Sequence, residues 1–76
     1  MTRSLSAIAC DISANWKNVY FGAVPYLEAL RTLDSIHDRY GYDDADDIVR
    51  RFLSNAKMWR GEQARAIKSE LKGMLG

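Results

Sequence analysis

At 76 residues, with 47% hydrophobic and 28% charged side chains, the chain has room for one hydrophobic core, too little for two domains, and too much apolar surface to stay disordered. Its single cysteine, Cys10, excludes an internal disulfide, and with a single histidine it also excludes a four-ligand structural zinc site. A net charge of +1 exerts no long-range pull on nucleic acid, and no run approaches the roughly 20 apolar residues of a membrane span.

The stretch 4–16 carries Leu5, Ile8, Ala9, Ile12 and Trp16 at steps of three and four, with Asp11, Ser13 and Asn15 elsewhere, which predicts a helix. Ser4, Ser6 and Asp11 interrupt it too often for the apolar core of a signal peptide. With Cys10 unpaired, a reducing, cytoplasmic compartment is the expectation. An apolar and aromatic segment over 17–24, including Val19, Tyr20 and Phe21, is expected to turn over the core. Pro25 then opens a second helix predicted over 25–39, because the first turn does not need its missing N–H. Tyr26, Leu27, Leu30, Leu33, Ile36 and His37 form its inner stripe, Glu28, Arg31, Asp34 and Asp38 turn outward, and Gly41 in Tyr40-Gly41-Tyr42 is expected to end it in the left-handed conformation.

A third helix is predicted over 44–57. Ala45, Ile48, Val49, Phe52, Leu53 and Ala56 share one face, Asp43 is the expected N-cap, and Asp44, Asp46 and Asp47 oppose the helix dipole. Beyond the link Met58-Trp59-Arg60-Gly61, a fourth helix over 62–74 buries Ala64, Ile67, Leu71 and Met74 or Leu75, with Trp59 at the corner between the two helices. No strand-period alternation is visible. The expectation is an all-α, compact four-helix domain occupying residues 1–76.

Charge is divided along the chain. Asp34, Asp38, Asp43, Asp44, Asp46 and Asp47 face only Arg39 and His37, whereas Arg50, Arg51, Lys57, Arg60, Arg65, Lys68 and Lys72 face only Glu62 and Glu70. No GxSxG, HExxH, P-loop or GxGxxG motif is present. His37 beside Asp34 and Asp38 has no second component for acid–base chemistry, so no catalytic residue is expected and the chain does not read as an enzyme. The aspartates lack the spacing of a calcium loop and suit a helix start instead. Neither metal nor cofactor is expected. What remains is binding. Two tryptophans, four tyrosines and two phenylalanines exceed what turns and corners of so small a domain readily hide. Tyr20, Tyr40, Tyr42, Trp59 and Arg60, with Asp43, Asp44 and Asp47, are therefore the candidate partner-binding residues. Two alternatives stand beside this: a small DNA-binding regulator using Arg50, Arg51, Lys57, Arg65, Lys68 and Lys72, and a structural protein that dimerises through a leftover apolar face.

Asn15-Trp16-Lys17, Ala23-Val24-Pro25-Tyr26-Leu27-Glu28-Ala29, Phe52-Leu53-Ser54-Asn55-Ala56 and Trp59-Arg60-Gly61 through Lys68-Ser69-Glu70-Leu71-Lys72 resemble a group of short prophage and mobile-element proteins of Gram-positive bacteria. The likeness spans nearly the whole chain and brings no catalytic residues with it. It implies a setting in the cytoplasm of a bacterial host, with a host protein or protein–nucleic acid complex as partner. Action as an inhibitor, for instance an anti-CRISPR or other anti-defence factor, follows as an expectation from that setting.

Overall fold

The computed structural model describes residues 3–75, folded as four helices and one short hairpin. Helix α1 (Leu5–Asn15) is capped by Ser4, whose hydroxyl accepts from the Ala7 N–H at 3.1 Å, and it buries Leu5, Ile8, Ala9 and Ile12. Trp16 closes it, donating its backbone N–H to the Ile12 carbonyl. The chain then turns tightly, with Ala23 N–H on the Tyr20 carbonyl at 2.8 Å, as expected of the aromatic segment.

Helix α2 (Val24–Leu30) holds Pro25 in its first turn and is half the expected length. The reason is tertiary. Two orphan N–H groups at the start of α1, those of Leu5 and Ser6, donate to the carbonyls of Asp34 and Leu33 at 2.9 and 2.8 Å, and a backbone still coiled as helix would have used those acceptors internally. Thr32 Oγ1 donates to the Ala29 carbonyl and turns the chain out. Asp38, expected on the outer face of a helix, instead folds the connection by accepting from the N–H groups of Asp34 and Ser35 at 3.0 Å each. Leu33 is still buried and Ile36 half-buried, packed on the core from a loop, while His37 is exposed.

The all-α expectation also needs correcting at residues 39–44. Strands β1 (Arg39–Tyr40) and β2 (Asp43–Asp44) pair antiparallel, Arg39 opposite Asp44 and Tyr40 opposite Asp43. Gly41 does adopt a positive φ of 64°, but as the first residue of a two-residue hairpin turn, where such a φ matches the strand twist, rather than at a helix end. Asp43 is consequently a strand residue and Asp44 the N-cap of α3 (Ala45–Ser54). Asp44 makes no side-chain cap; its carboxylate accepts from Arg39 Nε at 3.0 Å. Asp46 and Asp47 occupy the first turn of α3, which buries Ala45, Ile48, Val49 and Phe52.

Helix α4 (Glu62–Met74) follows, burying Ala64, Ile67 and Leu71. Its N-cap, Gly61, has φ 117° and ψ 175°, a region open essentially to glycine alone. A Cβ there would meet nothing within 4 Å, so the penalty of Gly61→Ala is backbone strain. We expect a loss of about 1–3 kcal/mol, measured as a lowered thermal midpoint.

Helix α1 packs on α2 and α4, and α3 on α2 and α4, around a core completed by Trp16, Leu33, Ala56 and Trp59. No helix among the described residues is long and apolar enough to cross a membrane. Arg3 ties the N-terminal end to α4, reaching Glu70 at 2.7 Å and Asp11 at 3.0 Å. The Arg3 hydrogen bond lowers the Glu70 pKa, and the two backbone N–H donors from Ser35 and Asp34 lower that of Asp38. A carboxylate with a depressed native pKa adds stability that is complete above the ordinary carboxylate range and is lost as pH falls through it. Both groups are solvent-accessible, so screening keeps the effect small. Thermal midpoints followed into acid should fall for the native chain and fall less steeply for Glu70→Gln.

Candidate functional site

The helices sort the side chains into two ends. α3 rises about 15 Å over its ten residues, from the hairpin to Asn55. At its start, Ile36, His37, Asp44, Asp46, Met74 and Leu75 line one hollow, and Arg3, Ser4, Leu5 and the 34–37 turn line the next. This end therefore gathers the beginning of α1, the end of α4 and the hairpin. At the far end Trp16, Lys17, Asn18, Tyr20, Met58, Trp59 and Arg60 converge from the end of α1 and the α3–α4 link.

That second end is built on stacked indoles. Trp16 and Trp59 lie face to face, centroids 5.3 Å apart and planes 6° from parallel, and Trp16 forms a T-shaped contact with Phe52, centroids 6.2 Å apart. With Trp16 only 8% and Trp59 only 5% exposed, Trp59 serves the core. Its expected place as a surface anchor is thus corrected to the floor beneath one. Lys68 Nζ donates to the Trp59 carbonyl and lies 6.0 Å from its ring. Burial, then the charges of Lys72 and Arg60, lower the Lys68 pKa. The link is therefore pinned in place from α4.

Around this floor, large apolar side chains face water. Phe21 and Met58 are each 79% exposed, and Tyr20 and Val24 are partly so. Tyr20 rests against Phe21 with centroids 4.8 Å apart. The position of Tyr20 depends on Gly22: a Cβ there would come within 2.6 Å of the tyrosine ring and 2.8 Å of Asn55 Oδ1. Phe21, Met58 and Lys17 are absent from the sequence-derived set. Their signal is that Phe21 and Met58 are bulky apolar residues in short connections, outside any helical period.

At the first end Tyr42 is fully exposed and Tyr40 about half so. They share the hairpin with Asp43 and Asp44, and Asp47 is exposed close by. The candidate residues thus divide: Tyr40, Tyr42, Asp43, Asp44 and Asp47 at one end, Tyr20, Trp59 and Arg60 at the other. One carboxylate oxygen each from Asp44, Asp46 and Asp47 lies within 4.8 Å of the others. The dipole of α3 accounts for such a cluster, and Asp44 is already engaged by Arg39.

The alternative nucleic-acid set is dispersed. Arg60, Arg65 and Lys68 line one hollow beside Trp59, whereas Arg50, Arg51, Lys57 and Lys72 are exposed without being drawn to it. None of these cations forms an ion pair among the described residues. His37 is exposed and donates its backbone N–H to Ser35 Oγ, and the Asp38 carboxylate is occupied by backbone donors, so the two are not arranged as an acid–base pair. Compared with protein families, curated proteins and solved structures, the chain has no significant match in any of the three.

Proposed function

We propose that this protein is a non-enzymatic protein-binding module whose main contact surface is the corner formed by Tyr20, Phe21, Met58 and Arg60. The observation that carries the reading is the 79% exposure of both Phe21 and Met58 on a link and turn pinned to a stacked aromatic core. Bulky apolar groups held out in water on fixed backbone are the composition of an interface centre. The opposite end, with its aspartates and two exposed tyrosines, suits a basic groove. Together with the resemblance to prophage-borne proteins, this makes a host nucleic-acid-handling defence complex, such as a CRISPR effector, the class of partner to test, with blockage as the mode of action.

Direct nucleic-acid binding is the second reading, favoured by the grouping of Arg60, Arg65 and Lys68. It is weakened by Lys68 already donating to the Trp59 carbonyl and by the acidic end repelling phosphate. Affinity capture of the tagged protein from bacterial lysate, with and without nuclease, separates the two. A stoichiometric, nuclease-resistant protein complex supports the module. Nucleic acid alone, lost after nuclease and after charge reversal at Arg65 and Lys68, overturns it in favour of the regulator. Light scattering at high concentration checks for self-association.

A further inference from the structure

Resting on the protein-binding reading, we propose that the cleft between the 17–20 segment and the Met58–Arg60 link takes a linear, acidic segment of a partner protein, which inserts an apolar side chain between Tyr20 and Met58. The cleft is shallow, about 540 Å³, and falls in the size range of sites for short ligands. Its charged lining groups are Lys17 and Arg60, and the adjoining hollow adds Arg65 and Lys68. Among the described residues no carboxylate lines either hollow, although Glu62 begins α4 one residue beyond Gly61. A cationic rim around an apolar centre is complementary to carboxylates flanking an apolar anchor.

The walls and floor differ in a way that fits such an occupant. The stacked indoles and the Lys68 bond to the Trp59 carbonyl fix the floor. Met58 above it, 79% exposed, can adjust to an inserted side chain, methionine having three rotatable bonds and a polarisable sulfur, against a Tyr20 wall that rests on Phe21. A single-stranded nucleic acid also joins negative charge to flat apolar groups, but it needs open aromatic faces on which bases stack. Here the tryptophans that line the cleft are stacked on each other and nearly buried, and the exposed Phe21 ring lies outside the cleft lining. The protein segment is therefore the better fit.

Both tryptophans of the chain line this cleft, so a change in indole emission reports an occupant there, provided the circular dichroism spectrum stays native. Random short peptides displayed on phage would be panned against the intact protein, and the enriched, tryptophan-free sequences synthesised and titrated. We expect a consensus of aspartate or glutamate around leucine or phenylalanine, a change in indole emission on binding, and loss of affinity with added salt. The double variant Lys17→Glu/Arg60→Glu should bind at least about tenfold more weakly, since two surface ion pairs of about 0.7 kcal/mol each amount to a tenfold loss before any repulsion is added. Lys17→Gln/Arg60→Gln should lie between it and the native chain, and Ser69→Ala, exposed on α4 outside both hollows, should bind normally. All of these residues are exposed, and a native circular dichroism spectrum confirms that each variant folds. Enrichment of no peptide, a consensus without carboxylates, or indifference to the charge reversal would overturn the inference. So would an oligothymidylate that perturbs the indoles when acidic peptides do not. Capture of a host protein undiminished by the charge reversal would sink the cleft assignment while leaving the protein-binding reading intact.

Discussion

Phe52→Ala should lose about 3–5 kcal/mol, the usual range for removing a buried aromatic ring. Phe52 has no exposed surface and is among the largest fully buried side chains of the core, on the face that α3 turns inward, where it packs edge-to-face with Trp16. Truncation would open a cavity at the point where α3 and the end of α1 join. A domain of this length is ordinarily stable by roughly 4–11 kcal/mol, so the variant should be partly or wholly unfolded at ambient temperature. Urea titration followed by circular dichroism tests this through the midpoint. Phe52→Leu, which refills much of the space, should lose far less; equal losses in the two variants would mean that the site tolerates no change of shape rather than that it needs volume.

Trp59→Ala should be nearly as damaging, about 3–5 kcal/mol, although Trp59 sits in a link between helices. Its ring stacks on Trp16 and its carbonyl holds Lys68, so three separate parts of the chain meet on one residue. Its neighbour makes the contrast. Met58→Ser, one position earlier and largely exposed, should stay within about 0.5 kcal/mol of the native chain, as should Phe21→Ser. Denaturant midpoints for the three variants measured side by side test whether the corner is divided into a structural floor and a surface that serves something other than stability. A large loss for Met58→Ser would remove that distinction.

Three helices follow from local periodicity because nothing distant opposes it: Ser4 caps α1, the stripe from Ala45 to Phe52 defines α3, and Glu62–Met74 is α4 to the residue. The second helix stops short for a reason invisible to any local window. Leu30, Leu33 and Ile36 keep helical spacing, yet the Leu33 and Asp34 carbonyls are claimed by α1, nearly thirty residues earlier. Asp38 illustrates the same limit, since its carboxylate reads equally well as an outward helix group or as a turn-closing acceptor. The hairpin escaped notice because strands of two residues carry no alternation, although the left-handed role of Gly41 was readable. At the candidate site, Tyr20 and Arg60 stand out by residue type. The burial of Trp59 depends on a partner, Trp16, 43 positions away; Phe21 is marked by its place in the aromatic Tyr20-Phe21 turn, whereas the exposure of Met58 emerges only once its neighbours are in place.

The separation of charge has a consequence that the net value of +1 conceals. Arg3 is paired with Asp11 and Glu70, and Arg39 with Asp44 of the hairpin, so among the described residues most aspartates around the hairpin lack an ion-pair partner, while Lys17, Lys57, Arg60 and Arg65 stand unpaired toward the other end. The molecule is a compass needle: almost neutral from afar, its charge separation favours turning Met58, Phe21 and cations toward an anionic surface and tyrosine and aspartate toward a cationic one. Reversing the charge of either end would therefore weaken that orientation while leaving the net value near zero only if the other end were changed to match.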